Sequence, residues 1–311
     1  MRPKNTSRTL PEKAVFIHRP NCELCGSDRK TTLLFKQFTD PAVWDFLESY
    51  YERRISRDSL TNGKYEIVKC CDCGFIWQAY ILDDEWMERL YDTWISSQQS
   101  LNKKKCADIS LFSAYARQVE IIAYLLSGKS PFEINVLDFG MGWGYWCLMA
   151  KAFGYNVWGF ELSEERIDFA AKNGIDVIEN LSSIGSPKFD FINAEQVFEH
   201  IPNPLETLKL LAHSLRHKGI IRITVPNGRG IEQELSNVGW KATKNAIQPL
   251  EHINCFMHST LIRLGESAGL VVMKPPFLSG HRHNCKSYIK GVLGKYYEQF
   301  FGTQSYFKIR E

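Results

Sequence analysis

Four cysteines form two C-x2-C pairs, a residue type and spacing suited to holding a metal ion. Cys22 and Cys25 make the first pair, and Cys70 and Cys73 make the second. Each pair is followed by glycine, which frees backbone N–H groups to face the sulfurs. Four thiolates complete the tetrahedral coordination of zinc and leave no open position for a substrate. The pairs therefore predict a structural zinc site, with a helix inserted between them at 43–55.

The five other cysteines are not expected to bind metal. Cys71 lies between two ligand positions and is expected to point away, while Cys106, Cys147, Cys255 and Cys285 are expected to be ordinary buried thiols. Nine cysteines in a chain of 311 residues is an odd number in a large protein. Because a disulfide framework needs even pairing and is typical of small secreted domains, we expect a cytoplasmic protein.

A glycine-rich loop at 138–144 is the second feature with a chemical use. It reads Asp-Phe-Gly-Met-Gly-Trp-Gly after a short apolar run, so it can turn tightly from a buried strand into a helix. Glu161 stands at the end of the next predicted strand, where a carboxylate can accept both hydroxyls of a ribose. Together they predict a nucleoside site at the carboxyl edge of a parallel sheet.

The spacing of the glycines indicates which nucleoside is bound. A dinucleotide-binding loop has its third glycine at the position of residue 145, which is tyrosine here. The glycines instead stand at 140, 142 and 144, and Asp138 precedes the first by two residues. Asp138 can organise the loop and face the ammonium group of a methionine. The loop therefore favours S-adenosylmethionine (SAM), which carries no phosphate.

The elements that must position this loop alternate between strand and helix. A helix is predicted at 110–126 from apolar residues at helical spacing, and Asn203 with Glu206 predicts a capping box for the helix after the fourth strand. Alternating strands and helices imply a mostly parallel sheet with helices on both faces, the Rossmann-like α/β class. Apolar runs predict the strands at 135–140, 156–161, 176–178, 189–193, 220–225 and 270–273, and a seventh at 305–311 that would close an edge.

These motifs together resemble the class I SAM-dependent methyltransferases. The segment 189–204 (FDFINAEQVFEHIPNP) is similar to the family's fourth-strand signature, which ends in E-H-[IV]-P-x-P, and 249–270 resembles the stretch before the sixth strand. The resemblance covers 106–275 and implies transfer of a methyl group from SAM. The pattern C-x-x-C-G-S followed by C-x-x-C-G-F is similar to the zinc-binding domain that precedes some bacterial small-molecule and sugar methyltransferases.

The resemblance implies a cofactor role for ten residues. The methionine end of SAM would contact the glycine loop, the ribose and adenine would contact the ends of the second and third strands, and the fourth strand would end beside the cofactor. The methionine end is assigned to Asp138, Gly140 and Gly142, and the ribose to Glu161 and Leu162. The adenine is assigned to Asn180 and Leu181, and the end of the fourth strand carries Glu195 and Gln196. Tyr115 is a further contact. Trp143 is an additional candidate.

Two histidines are candidates for activating the methyl acceptor. A general base can be needed for an oxygen or nitrogen acceptor, and His200 and His252 are the catalytic candidates because they follow the fourth and fifth strands. Some ubiquinone-pathway and small-RNA O-methyltransferases hold a divalent cation with E-x-x-E-H. Here Gln196 replaces the first glutamate, and an amide is a poorer cation ligand than a carboxylate, so no magnesium site is predicted. The segment 281–285 matches no closed metal site and is expected to be a loop before a helix at 286–301.

The sequence thus predicts three parts: a zinc-binding domain at 1–105, a SAM-binding domain at 106–275, and a helix and strand extension at 276–311 that covers the acceptor pocket. The first 15 residues do not read as a signal peptide, and no 18-residue apolar run predicts a transmembrane helix. A net charge of +3, with acids mixed among the basic residues of 1–105, argues against a nucleic-acid partner.

The leading interpretation is methylation of a small molecule such as a sugar nucleotide, a glycan unit or a secondary metabolite. A zinc-bearing RNA methyltransferase is an alternative, which a basic and aromatic face on 1–105 would favour. A scaffold that binds SAM or zinc without turnover is a second alternative. The intact glycines and Glu161 argue against the scaffold.

Overall fold

A computed structural model describes residues 13–185, 188–274 and 304–310. The N-terminal part is built on short antiparallel strands, in which β1 pairs with β5, and β3 lies between β2 and β4. The bounds are β1 (Phe16–His18), β2 (Lys30–Gln37), β3 (Lys64–Cys70), β4 (Ile76–Gln78) and β5 (Tyr80–Leu82). In the part of the chain described, no helix is long and apolar enough to cross a lipid bilayer.

Helix α1 (Pro41–Tyr50) is the helix predicted between the cysteine pairs, with different bounds. Proline is favoured in the first turn because its missing N–H would have no partner there. The helix ends where Glu52 and Arg53 take φ values of 52° and 61°. Val43, Trp44 and Leu47 are buried on its inner face.

Helices α2 (Asp84–Arg89) and α3 (Ser97–Lys105), separated by a π-helical turn at Leu90–Trp94, lead into α4 (Ile109–Leu125). Helix α4 confirms the helix predicted at 110–126. The thiol of Cys106 is exposed, which corrects the expectation of burial. The reason is local, because Cys106 ends α3, in which only Leu101 is buried.

The central sheet confirms the predicted Rossmann-like class. Its strands are β6 (Asn135–Phe139), β7 (Asn156–Phe160), β8 (Asp176–Ile178), β9 (Phe189–Glu195), β10 (Leu215–Thr224), β12 (Leu270–Met273) and β13 (Gln304–Ile309), in the order β12-β13-β10-β9-β6-β7-β8. The strands from β10 to β8 are parallel. Every residue of β6 is buried, as expected for a strand covered on both faces.

The strand predicted at the C-terminus forms but does not close an edge. β13 is antiparallel to both β10 and β12 and lies between them. Tyr306 and Phe307 are buried there, so an interior position suits the strand. The loop predicted at 281–285 and the helix predicted at 286–301 lie outside the described residues.

The remaining helices are α5 (Tyr145–Ala152), α6 (Glu164–Lys172), α7 (Pro204–Ser214), α8 (Ile231–Leu235) and α9 (His258–Ser267). The capping box predicted for α7 is wrong. Asn203 has ψ of 70°, and its side chain makes no capping hydrogen bond. Glu206 is exposed and instead accepts a hydrogen bond from Lys209 at 2.9 Å.

The loop after β10 returns to the N-terminal sheet. β11 (Asn254–Cys255) pairs with β4, and α8 shares a buried core with α1 and β3. Arg19 ties the two parts together, because its guanidinium donates to the carbonyl oxygens of Pro202 at 2.9 Å and Ile253 at 3.2 Å. The N-terminal sheet therefore packs directly on the part of the chain that carries the glycine loop.

Candidate active site and metal centre

The glycine loop leaves β6 and is fixed to the neighbouring strand. The N–H groups of Gly140 and Met141 donate to the carbonyl oxygen of Phe160 at 2.9 and 3.0 Å. Gly140, Gly142 and Gly144 have φ values of 78°, 55° and 71°, a region that favours glycine. A Cβ on Gly140 would stand 2.5 Å from Val197, whereas one on Gly142 would meet nothing within 4 Å. The loop is therefore packed at Gly140 and open at Gly142.

A cleft opens above this loop. Six of the ten residues predicted to bind the cofactor line it: Tyr115, Asp138, Gly140, Gly142, Glu195 and Gln196. Trp143, the additional candidate, lines it as well. Gln196 has a φ of 55°, an unusual value for a residue with a side chain.

The other four predicted residues stand outside the lining of the cleft. Glu161 is next to it, because its Oε2 accepts a hydrogen bond from the N–H of Gly142 at 2.9 Å. Leu162 is 77% exposed, and Leu181 is 39% exposed at the start of a short 3-10 helix after β8. Asn180 is exposed just before that turn. The ends of β7 and β8 place these residues at the same sheet edge as the glycine loop.

A buried polar network holds Asp138. The amide of Asn193 donates to Asp138 Oδ1 at 2.7 Å, and Arg222 donates to Asn193 Oδ1 at 2.6 Å. Arg222 also pairs with Glu195 at 3.0 Å. Burial raises the pKa of Asp138 to about 7, although the hydrogen bond from Asn193 opposes this rise. Asp138 is therefore a carboxyl group that changes charge near neutral pH.

Several residues of the cleft were not found from the sequence. Two of them come from α3, which places Ser100 and Lys104 on the lining. Trp143 donates its indole N–H to Ser100 Oγ at 3.2 Å, and Lys104 donates to the hydroxyl of Tyr115 at 2.7 Å. Ser96 caps this helix through the N–H of Gln99, a signal that could have predicted the helix but not where it docks. Arg166, Asn193, Met141, Tyr145 and Trp146 also line the cleft.

The two predicted catalytic histidines lie together with Glu199. One ligand atom of each residue lies within 4.8 Å of the others, and the rings of His200 and His252 are 4.9 Å apart. Glu199 is 1% exposed, and neither of its oxygens has a hydrogen-bond partner among the described residues. We call Glu199, His200 and His252 the histidine cluster. The E-H-I motif indicated two of its members, but only the fold brings in the third.

The hydrogen bonds of the histidines fix where their lone pairs lie. Nδ1 of His200 is 2.9 Å from the carbonyl oxygen of Glu251, and Nδ1 of His252 is 2.6 Å from that of Asn245. Because a carbonyl oxygen only accepts, these contacts put the hydrogen on Nδ1 and the lone pair on Nε2 of each ring; the Tyr91 hydroxyl, 3.0 Å from the same Nδ1 of His200, then shares that hydrogen as a second acceptor. Burial lowers the pKa of His200 to about 3 and that of His252 to about 4. Burial also raises the pKa of Glu199 to about 8.

The four predicted zinc ligands are brought together by the N-terminal strands. The Sγ atoms of Cys22 and Cys73 are 3.4 Å apart, those of Cys25 and Cys70 are 3.5 Å apart, and all four lie within 4.8 Å of one another. Sulfurs bound to one zinc at about 2.3 Å stand about 3.8 Å apart in a tetrahedron, so the spacing fits that ion. The thiol of Cys71 is exposed and lies outside this group.

Backbone donors surround these sulfurs. Burial opposes ionisation of Cys70, but hydrogen bonds from the N–H groups of Cys73 and Asp72 and from the thiols of Cys25 and Cys73 together outweigh it and lower the pKa of Cys70 to about 7. Burial raises the pKa of Cys73 to about 11. Gly26 and Gly74 adopt φ values of 73° and 76°, which turn the chain back after each pair. The local backbone is therefore shaped around the four thiols.

A mostly parallel α/β sheet, with a glycine loop after β6 and an acid at the end of β7, defines a class I SAM-dependent methyltransferase. Residues 102–274 match a family model described as a methyltransferase domain, and this match covers more than half of the chain. The chain belongs to that family.

Individual relatives are distant. The chain is 26% identical over 193 residues to a ubiquinone biosynthesis O-methyltransferase of Caulobacter vibrioides, a match that covers 56% of this chain and 77% of that protein. It is 31% identical over 111 residues to the enzyme of the same description from Actinobacillus pleuropneumoniae serotype 7, over 31% of this chain and 47% of that protein. A crystal structure of the plantazolicin methyltransferase BpumL with S-adenosylhomocysteine is similar over 68% of this chain and 90% of that one, at 21% identity and a TM-score of 0.46.

Proposed function

We propose that the protein transfers the methyl group of SAM to a hydroxyl group of a small-molecule acceptor. The observation that carries the proposal is the histidine cluster, in which the buried carboxyl group of Glu199 and the two imidazoles lie within 4.8 Å of one another and no described residue donates a hydrogen bond to the carboxyl oxygens. The relatives described as O-methyltransferases support an oxygen acceptor. In this proposal the acceptor binds where the N-terminal sheet meets the methyltransferase domain.

The position of the cluster supports an acceptor site beside the cofactor. Gln196 lines the cleft, and the short 3-10 helix that carries Glu199 and His200 begins two residues later. The hydroxyl of Tyr91 lies 3.0 Å from Nδ1 of His200. Burial raises the pKa of Tyr91 well above its usual range, the charges of Glu251 and Glu199 raise it further, and Arg166 of the cleft lowers it. Tyr91 therefore contacts the histidine cluster and is within the electrostatic influence of Arg166, which lines the cleft.

The chemistry of the cluster suits a divalent cation that accepts imidazole ligands. Zinc and iron bind neutral imidazole and carboxylate together, and each histidine already donates its other nitrogen to a carbonyl, as metal-bound histidines do. Such a cation would lower the pKa of an acceptor hydroxyl held against it. The residues would hold the cation through Nε2 of His200, Nε2 of His252 and the Glu199 carboxylate. Magnesium, which prefers oxygen ligands, fits this set poorly.

We also propose that Cys22, Cys25, Cys70 and Cys73 hold a structural zinc. The spacing of the sulfurs and the backbone donors around them support this assignment. Four cysteine ligands leave no coordination position for a substrate. Its role would therefore be to stabilise the N-terminal sheet against which the acceptor site is built.

The test is a methyl-transfer assay with SAM labelled in its methyl group. Labelled product is expected in a pool of hydroxylated small metabolites and absent from total RNA. Label found only in RNA would support the zinc-bearing RNA methyltransferase instead. SAM binding without labelled product in either fraction would favour the scaffold.

A histidine variant connects the reaction to the cluster. His252→Gln should lower kcat/KM by about 10²- to 10⁴-fold, the usual contribution of acceptor activation, and leave the Kd for SAM within about twofold. His217→Gln is the matched control, because His217 is exposed on β10. Equal activity of the two variants would contradict a catalytic role for the cluster.

A further inference from the structure

The segment 245–252 carries the backbone carbonyl groups that orient both histidines of the histidine cluster. Nδ1 of His200 donates to the carbonyl oxygen of Glu251 at 2.9 Å, and Nδ1 of His252 donates to that of Asn245 at 2.6 Å. We call 245–252 the histidine strap. Because the hydrogen bond at Nδ1 fixes the ring, the position of the strap decides where both Nε2 lone pairs point.

The strap has little local structure of its own. Within 245–252 the chain forms neither a helix nor a strand. Leu250 is buried and has a φ of 71°, an unfavourable conformation for a residue with a side chain. Such a conformation persists only where the surrounding structure holds it. The strap therefore depends on contacts with other parts of the chain.

Gln78 of β4 supplies two of these contacts. Its side-chain nitrogen Nε2 donates to the carbonyl oxygens of Gln248 at 2.8 Å and His252 at 3.0 Å. Its backbone N–H donates to the carbonyl oxygen of Ile253, directly after the strap, at 2.9 Å. Gln78 is fully buried, so water does not stand in for these donors. One side chain thus bridges two carbonyl groups of the strap.

Tyr65 of β3 supplies a third contact, because its hydroxyl donates to the carbonyl oxygen of Ile247. Like Gln78, Tyr65 is buried. Ile67 stands opposite Gln78 in the paired strands and two residues after Tyr65, so the side chains of Tyr65 and Gln78 leave the same face of the sheet. The N-terminal sheet therefore presents two polar side chains to the strap.

We propose that Gln78 and Tyr65 are positioning residues that orient His200 and His252 through the histidine strap. Both act on backbone carbonyl groups of the strap, so neither is a catalytic residue. The inference rests on the proposed role of the histidine cluster in activating the acceptor. It gives the N-terminal sheet a part in the reaction besides carrying the cysteine site. Groups that orient a functional histidine typically contribute about 10- to 100-fold to metal affinity or activity.

The first test measures how fast the Nδ1–H protons of both histidines exchange with solvent, by NMR of the full chain labelled with nitrogen-15 at histidine. His200→Gln and His252→Gln assign the two signals. Gln78→Met keeps the length of the side chain but removes both donors, so the strap should open more often and both protons should exchange about tenfold faster. Tyr65→Phe removes one donor, keeps the ring, and should accelerate exchange about 2- to 5-fold.

Val68→Ala is the matched control for loss of stability alone. Val68 is fully buried on β3 but stands opposite Trp77, so its side chain leaves the other face of the sheet. The substitution should lower Tm, as a cavity in the core does, and leave both exchange rates within about twofold. Acceleration by Val68→Ala equal to that by Gln78→Met would overturn the proposal, because exchange would then follow the stability of the sheet.

A second measurement relates the strap to the reaction. In the methyl-transfer assay, Gln78→Met should lower kcat/KM about 10- to 100-fold and leave the Kd for SAM within about twofold. Unchanged exchange rates in Gln78→Met and Tyr65→Phe would overturn the positioning role, and Tyr65→Phe decides alone where Gln78→Met does not fold. Faster exchange with an unchanged kcat/KM would support the positioning contacts and contradict instead the proposed role of the histidine cluster.

Discussion

Asp138 is a buried carboxyl group that lines the cleft above the glycine loop. Its oxygens accept hydrogen bonds from Asn193 and, at 3.7 Å, from the thiol of Cys147, so neither bond brings a full positive charge to it. Burial consequently dominates and raises its pKa to about 7. The group is neutral in acidic solution and negative in mildly alkaline solution, and only the negative form attracts an ammonium group.

We therefore predict that the affinity for SAM increases as the pH rises through 7. If the ammonium group of SAM requires the ionised carboxylate, the Kd at pH 6 should be about tenfold higher than at pH 8, by proton linkage. Calorimetric titration across this range measures the effect. Asp138→Asn should bind SAM weakly at every pH and show no such slope. A flat profile in the unmodified protein would rule out this role of Asp138.

The unpartnered carboxyl group of Glu199 predicts how much metal the protein binds. Both of its oxygens lack a partner among the described residues, a costly state for a buried carboxylate unless a cation or a proton compensates it. If a cation binds there, purified protein should contain about two metal equivalents by elemental analysis, one of them zinc in the cysteine site. Glu199→Gln should reduce the content to about one.

The matched control for Glu199 is Glu206→Gln, because Glu206 is exposed on α7 and its carboxylate pairs only with Lys209 in the described structure. This variant should keep both metal equivalents. A single equivalent in the unmodified protein, unaffected by Glu199→Gln, would leave the histidine cluster with general-base chemistry alone.

In the turn from β6 to α5, packing leaves no space for a side chain at one glycine, Gly140. Gly140 and Gly239 have φ values of 78° and 80°, so alanine at either position meets a similar backbone penalty of about 1 kcal/mol. They differ in space, because a Cβ on Gly140 would stand 2.5 Å from Val197 and one on Gly239 would meet nothing within 4 Å. Overpacking adds about 1–3 kcal/mol in a filled core.

Gly140→Ala is therefore expected to lower the free energy of unfolding by about 1–3 kcal/mol more than Gly239→Ala does. Chemical denaturation followed by circular dichroism measures the difference. Gly140→Ala should also weaken SAM binding, since Gly140 lines the cleft. Equal destabilisation by the two substitutions would show that Val197 gives way without cost.

Elements with a strong local pattern could be predicted, and those fixed by distant contacts could not. The apolar run at 135–140 predicted β6 nearly to the residue, because a fully buried strand needs a continuous apolar segment. The capping box at Asn203 failed because its backbone, with φ of −117° and ψ of 70° after the 3-10 turn, does not take the extended conformation typical of an N-cap. The place of β13 depends on pairing with β10 and β12, which no local pattern reports.

The candidate site divides in the same way. The loop at 138–144 and the cysteine pairs carry their chemistry in short motifs, so the sequence identified them. Lys104 belongs to a polar helix with one buried residue, and its place in the cleft follows only from docking onto Trp143 and Tyr115. Glu199 stands in the segment that resembles E-x-x-E-H, but its approach to His252, more than 50 residues away, follows only from the fold.

On the scale of the whole molecule, the cysteine site and the central sheet share one core. Cys22, Cys70 and Trp77 of the N-terminal part belong to the same buried cluster as Leu137 and Phe198. Arg19, 5% exposed, adds hydrogen bonds to Asn254 at 2.8 Å and Pro202 at 2.9 Å across the junction. A continuous core predicts that the described parts unfold together rather than one after the other.

Loss of zinc should therefore destabilise the entire protein. Cys25→Ser removes one ligand and is expected to lose the metal and to lower Tm by about 6 °C or more, since losing a metal removes several kcal/mol. Cys71→Ser is the matched control, because Cys71 is an exposed thiol between two of the proposed ligands, Cys70 and Cys73, and should leave Tm within about 1 °C.

The two variants also test whether the core is shared. Far-ultraviolet circular dichroism and SAM binding should be lost at the same temperature in Cys25→Ser, because the cysteine site and the cofactor sheet unfold as one unit. A variant that loses zinc but keeps SAM affinity and a single high Tm would separate the cysteine site from the fold of the central sheet. Zinc bound at one equivalent in Cys25→Ser would instead contradict the four-cysteine ligand set, because three thiolates leave an open position that binds the ion more weakly.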